Sequence, residues 1–187
     1  MRVVAGVAGG RRLHTPPGKR MRPTTDRVRE AVFSALTSMD AIDGVAVLDL
    51  FAGTGALGIE ALSRGAAVAT FVDADETAIA MIRANLLRTG LHDQGRVVRG
   101  DAVRFAEQAA EQAAEAAGTA AAGGGRPYDL VLADPPYAFD DWPRLMAALP
   151  APLAVLESDR PIQPGAGWSQ LQSRRYGDSV VTLARRR

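Results

Sequence analysis

Two clusters of residues in this 187-residue chain have types and spacings suited to chemistry. The first is Asp49-Leu50-Phe51-Ala52-Gly53-Thr54-Gly55-Ala56-Leu57-Gly58, in which Gly53, Gly55 and Gly58 form a G-x-G-x-x-G directly after an apolar run. Glycines there let the backbone turn tightly and let a ligand approach with no Cβ in the way. Asp73 follows 20 residues after Gly53, at the end of the next apolar run, where a carboxylate accepts hydrogen bonds from ribose hydroxyls. These residues fit a nicotinamide dinucleotide as well as S-adenosylmethionine. Two further acids tilt the balance toward the second. Asp49, just before the turn, would repel a pyrophosphate but hold the ammonium of a methionine moiety. Asp101-Ala102, after a third apolar run, can read an adenine amino group.

The second cluster is Asp134-Pro135-Pro136-Tyr137, which follows Leu130-Val131-Leu132-Ala133 with no spacer. A planar exocyclic amine is a poor nucleophile because its lone pair is delocalised into the base. The Asp134 carboxylate and the Pro135 carbonyl form an acceptor pair that can hold both N–H bonds and aim the nitrogen lone pair at a methyl donor. The prolines stiffen the loop and remove competing donors. Tyr137 can stack on the face of the base, a contact worth about 1–3 kcal/mol.

The elements that must position these clusters read as alternating strands and helices from Gly44 onward. Strands are expected at Val45–Leu50, Ala67–Val72, Arg96–Arg99, Leu130–Ala133 and Leu153–Leu156, and helices at Ala56–Arg64, Glu76–Thr89 and Trp142–Leu149. A closing hairpin is expected from Trp168–Arg174 and Ser179–Leu183. Such alternation predicts an α/β fold with a parallel sheet covered on both faces. In open α/β sheets ligands bind at the carboxyl ends of the strands, so the two clusters should face each other. Ahead of this unit, Met1 to Leu13 predicts two short strands around Gly9-Gly10, and His14 to Pro23 a proline-broken loop. A helix then opens at Pro23-Thr24-Thr25, with Val28, Ala31, Val32, Ala35 and Leu36 on its apolar face and Arg22, Asp26, Arg27, Arg29 and Glu30 at its start and polar side. The domain division expected is a basic hairpin and loop over 1–23 and a catalytic unit over 24–187. The Ala/Gln/Glu-rich stretch from Ala106 to Gly125 extends a helix into a surface loop and is given no chemistry.

Composition narrows the field. A hydrophobic fraction of 47% and a charged fraction of 23% are ordinary for a globular domain. The absence of cysteine excludes disulfides, cysteine-ligated zinc, iron–sulfur clusters and thiol nucleophiles. With no apolar run near membrane-spanning length, the expectation is a soluble, cytoplasmic, monomeric protein without a metal. The net charge of +1 is unevenly spread: residues 1–30 carry +6 and residues 174–187 carry +4, which leaves −9 between them. Basic ends around an acidic middle suggest contact with a polyanion through the ends. His14 and His92 are read as loop and helix-end residues, and Trp142 and Trp168 as packing.

The sequence also resembles a known family. D-x-F-A-G-T-G with a later D-P-P-Y is the signature of class I amino-methyltransferases acting on nucleic-acid bases. Arg22-Pro-Thr-Thr-Asp-Arg-Val-Arg-Glu30, Leu48 to Gly65, the D-P-P-Y and Leu156-Glu157-Ser158 together resemble the RsmD family of small-subunit (16S) rRNA guanine-N2 methyltransferases. The resemblance implies a Rossmann-like fold with a seven-stranded, mostly parallel sheet, helices on both faces and a small N-terminal β-hairpin. It implies S-adenosylmethionine as cofactor and a guanosine N2 of 16S rRNA, in an assembling small ribosomal subunit, as substrate. By position, Asp49, Phe51, Gly53, Gly55 and Leu57 would line the methionine and ribose site, Asp73 would take the ribose, and Asp101 and Ala102 the adenine. Asp134, Pro135 and Tyr137 would hold the base. Arg11, Arg12, Lys19, Arg20, Arg22, Thr24 and Arg27 would meet RNA, with the C-terminal arginines adding phosphate contacts. Alternatives are adenine-N6 or cytosine-N4 methylation, a nicotinamide-dependent oxidoreductase, and a non-catalytic RNA-binding assembly factor.

Overall fold

The structure is a computed structural model that describes residues 1–15, 26–119 and 126–187. Lys19, Arg20, Arg22 and Thr24, with most of the proline loop, the first residues expected of the opening helix and Gly123–Gly125, lie outside the described residues.

Helix α1 (Asp26–Ser38) precedes β1 (Ala46–Leu50), α2 (Ala56–Ser63), β2 (Val68–Asp73), α3 (Glu76–Thr89) and β3 (Gly95–Arg99). Next come α4 (Ala102–Thr119), β4 (Leu130–Ala133), α5 (Trp142–Ala148), β5 (Leu153–Ser158), β6 (Trp168–Tyr176) and β7 (Ser179–Arg186). The seven strands form one sheet in the order β3-β2-β1-β4-β5-β7-β6. The β1, β2, β3, β4 and β5 strands run parallel, and β7 is antiparallel to both β5 and β6. Among the described residues no helix is long and apolar enough to cross a membrane.

Strand periodicity divides the core into two layers. Val47, Phe71, Leu130, Leu132 and Val155 pack under α1, α2 and α3, whereas Leu48, Leu50, Val72, Val131 and Leu156 pack under α4 and α5. Full burial of each such side chain is worth about 1.5–3 kcal/mol. The chain leaves β1 toward β2 on one side and enters β4 on the other, so the carboxyl ends of β1 and β4 diverge and open a crevice.

The N-terminal segment departs from the two strands expected. Only Arg2 and Arg12 form a β-bridge, supported by Val3 N–H to Arg11 O at 2.9 Å and Gly10 N–H to Val3 O at 2.9 Å. The intervening backbone closes its own turn, with Gly9 N–H to Gly6 O at 3.0 Å, and also pairs with helix α2. The buried Glu60 carboxylate accepts Val4 N–H at 2.7 Å and Ala5 N–H at 3.0 Å. Ser63 Oγ accepts Ala8 N–H at 3.0 Å and donates to Ala5 O. Gly6 is required here, because a Cβ at its φ of +81° would lie 1.7 Å from Ser63 O. Val3, Ala8 and Leu13 are buried in the same core layer as α1 and α2.

Helix α1 also differs from its sequence pattern. Val28, Val32 and Leu36 are buried as expected, but Phe33 and Arg29 are fully buried beside them. Periodicity puts Arg29 on the polar side, but the N-terminal segment covers it, and its Nη2 donates to Arg2 O and to Asp26 Oδ1, the latter at 2.8 Å. Arg64 ties α1 to α2, donating to Glu60 Oε1 and Glu30 Oε2 at 2.7 Å each, over the Phe33 ring.

Because Glu60 is buried and Glu30 half-exposed, these two partners of Arg64 should differ sharply in worth. Glu60→Gln should lower unfolding free energy by about 3 kcal/mol, as expected for breaking a buried charged pair. Glu30→Gln should cost no more than about 1 kcal/mol. Urea denaturation of the two variants checks this; equal losses would show that burial does not set the worth of the two pairs apart.

Candidate functional site

The crevice between β1 and β4 is a cleft of about 900 Å³. One wall is the β1–α2 turn. Gly53 and Gly55 both adopt positive φ, at 57° and 77°, and Gly55 caps α2 from the left-handed region. Phe51 also has a positive φ, at 57°, an uncommon conformation for a residue with a side chain. The third glycine works differently. A Cβ on Gly58 would lie 2.3 Å from the Phe71 ring, so only glycine lets α2 settle onto β1 and β2. That close packing brings Gly58 N–H to 2.8 Å from Asp49 Oδ2.

Asp49 is 1% exposed, on the floor of the cleft. Burial pushes its carboxyl well above the ordinary range; the Gly58 hydrogen bond opposes this, and the nearby Asp134 and Asp73 add to it. A cation brought against this carboxylate would relieve the cost of ionising it. Asp73, at the end of β2, accepts Gly53 N–H at 2.8 Å through Oδ2 and Asp75 N–H at 2.9 Å through Oδ1. It therefore fixes the turn while still lining the cleft. Asp101 lines it next, its Oδ1 accepting Arg104 N–H at 2.8 Å at the start of α4.

The opposite wall is the loop after β4. Asp134, Pro135, Pro136 and Tyr137 all line the cleft, with Pro135 buried and Tyr137 37% exposed. Phe139 N–H donates to Pro136 O at 2.8 Å, closing the loop into a turn. The Phe139 ring lies 5.4 Å from Phe51 and 5.2 Å from Trp142, so an aromatic seam joins the two walls.

Of the residues expected around a cofactor, Asp49, Phe51, Gly53, Leu57, Asp73, Asp101 and Ala102 line this one cleft. Gly55 stands behind the lining, where it packs near Ile59 and Ile82. The basic residues are more scattered. Arg27 and Arg12 are exposed, but Arg11 donates to Thr89 O at the far end of α3, about 20 Å along that helix from the cleft side. Sequence reading missed Phe139, whose signal was an aromatic two positions after the tetrad. It also missed Met1, which lines the cleft with its Sδ 3.7 Å from Thr54 Oγ1 and which no local pattern marks.

The Asp49 environment yields a pH test on the ligand-free protein. A carboxyl raised by folding contributes most favourably below its unfolded value, about 3.9, and that contribution is lost as pH rises toward the folded value. Asp49→Asn removes this dependence. Thermal unfolding at stepped pH should show the wild type losing ground to Asp49→Asn as pH rises above about 4. Parallel curves would mean that Asp49 ionises in the folded protein without cost.

Comparison with known proteins places the chain in a family. Residues 1–185 match the family described as Conserved hypothetical protein 95. Ribosomal RNA small subunit methyltransferase D of Escherichia coli (strain K12) is 38% identical over 139 residues, covering 73% of this chain and 60% of the relative. This chain thus aligns with less than two thirds of that relative's length. The protein of the same name from Haemophilus influenzae (strain ATCC 51907 / DSM 11121 / KW20 / Rd) is 30% identical over 187 residues, covering 95% of this chain and 89% of the relative. The solved structure of yhhF from E. coli superposes with a TM-score of 0.78 at 33% identity, covering 100% of this chain and 97% of that one. The fold is the Rossmann-like fold of class I methyltransferases. The chain belongs to the Conserved hypothetical protein 95 family, that of the RsmD proteins.

Proposed function

We propose that this chain, in the cytoplasm, uses S-adenosylmethionine to methylate the exocyclic N2 of a guanosine in small-subunit (16S) rRNA. The charge of the cleft carries the reading. Asp49, Asp73, Asp75, Asp101 and Asp134 line it, and among the described residues no lysine or arginine does. Four of these carboxylates, joined by Asp49 once a cation offsets the burial that opposes its ionisation, repel the pyrophosphate of a dinucleotide and attract a ligand that bears an ammonium and a sulfonium. The buried Asp49 fits the ammonium, Asp73 the ribose, and Asp101 with Ala102 the adenine. When bound, that cofactor supplies an electrophilic methyl group for direct transfer to the base nitrogen. The relatives' names support an RNA substrate.

The protein's own part is positioning and proton handling. The Asp134 carboxylate and the Pro135 carbonyl accept the two N–H bonds of the guanine amine, and Tyr137 stacks on its ring. As the new N–C bond forms, the amine sheds one proton to Asp134 or to water, so Asp134 need not be a strong base beforehand. The gain comes from holding a weak nucleophile in a reactive orientation. A target guanine must be unstacked to reach this loop, so loops and bulges of the RNA are the expected sites.

Asp134→Ala should slow methyl transfer to small-subunit rRNA by roughly 10²–10³, while calorimetric affinity for S-adenosylhomocysteine stays within a few-fold of wild type. Near-normal turnover would remove Asp134 from the reaction. In parallel, mass spectrometry of small-subunit rRNA from cells lacking the gene should show one N2-methylguanosine missing. Loss of N6-methyladenosine or N4-methylcytidine instead would reassign the acceptor, and tight NADH binding would reassign the enzyme.

A further inference from the structure

The five arginines near the C-terminus look like one basic patch in the sequence, but the sheet divides them between two rims. β7 runs antiparallel to β5, and β6 antiparallel to β7, so β6 points the same way as the parallel strands. Its last residues therefore emerge on the cleft side. The register makes this concrete: Ala133 pairs with Leu156, Glu157 with Val181, and Val181 with Arg174. The row that begins at Asp134 thus ends at Arg174, and Arg175 pairs with Val180 one step further out. Three strand spacings separate Asp134 from Arg174, about 14 Å.

The other three arginines lie at the opposite rim. Arg185 pairs with Leu153 at the start of β5, about 17 Å down the strand from Ser158. Arg186 donates to Leu149 O and lies over the Trp168 ring, 4.7 Å from its centroid. Arg187 donates to Ser169 Oγ at 3.1 Å. None of these can reach a strand of nucleic acid laid across the cleft.

Arg174 and Arg175 are exposed on the edge strand, and neighbouring strand positions point to opposite faces. Gln172 and Tyr176 line a groove with Val32 and Ala35 of α1, so Arg174 shares the α1 face and Arg175 the face of α5. The two residues therefore lie on opposite faces of the edge strand at its cleft-side end. Arg160 bridges the gap toward the base loop: its Nη2 donates to Phe139 O at 3.2 Å, although Asp159 at 3.0 Å offsets its charge. Two more acids stand close by: Asp178 in the β6–β7 turn, and Glu157 within the row itself, buried with its Oε1 accepting from Ser179 Oγ.

We infer that Arg174 and Arg175 form a phosphate-binding track for RNA flanking the target nucleotide, running from the Asp134 loop over β5 and β7 to the edge of β6. The inference rests on the rRNA reading above and specifies where that substrate lies. At a stacked rise of about 3.4 Å per nucleotide, the track meets phosphates roughly four nucleotides from the base in the cleft. Phosphate contacts of this kind orient the strand and carry no sequence information.

The test compares two double variants of the full chain, Arg174→Gln/Arg175→Gln and Arg185→Gln/Arg187→Gln, in filter binding to a small-subunit rRNA fragment across a salt series. The first should weaken binding roughly tenfold at moderate salt and reduce the slope of log K against log salt by about 1.4, the value for two single-strand contacts. The second should change neither. Unchanged affinity for S-adenosylhomocysteine shows that each variant is folded. An unaltered slope in the first variant, or an equal loss in the second, overturns the track. Binding is read without methyl transfer, so a wild type that binds RNA through this rim yet transfers no methyl group to it sinks the activity and leaves the track standing.

Discussion

The site depends on the approach of α2 to the sheet at Gly58. With no side chain there, the helix rests against the Phe71 ring and its backbone N–H meets the Asp49 carboxylate. Three properties follow from that one contact. The acid is taken out of water, and burial holds its carboxyl above the ordinary range. The helix start is fixed relative to β1, so the turn of Gly53 and Gly55 presents its backbone to the cleft. Asp73 then locks the turn from β2 through the Gly53 N–H. A larger residue at position 58 would disturb the floor and the wall together.

A second set of interactions holds the outer layer. Glu60, two residues along the same helix, anchors the N-terminal segment by accepting two of its backbone N–H groups. The helix that builds the cleft on one side therefore organises the N-terminal covering on the other. Arg64 extends this to α1 through Glu30, so α1, α2 and the N-terminal segment are joined by charge as well as by the shared apolar layer.

Much of this was legible in the sequence because the relevant signals are local. Alternating apolar runs and amphipathic helices gave the elements, and glycines and the D-P-P-Y tetrad sit at strand ends, where an α/β sheet gathers its loops. What was not legible depends on distant partners. The burial of Arg29 needs Arg2 and Asp26 around it, and periodicity alone assigned it to the polar side. Val4 and Ala5 pair with a carboxylate more than fifty positions away rather than across a hairpin, so strand propensity misread them. The C-terminal arginines read as a cluster because they are close along the chain, whereas antiparallel pairing sends them to opposite ends of the molecule.

The placement of Met1 has a practical side. Its sulfur rests near Thr54 and its side chain forms part of the cleft lining, while Arg187 hydrogen-bonds to Gly167 at the other pole of the sheet. Any added segment joined ahead of Met1 would start beside the cleft lining and compete with whatever enters the cleft. The same segment after Arg187 would hang from the remote pole and leave the entrance clear.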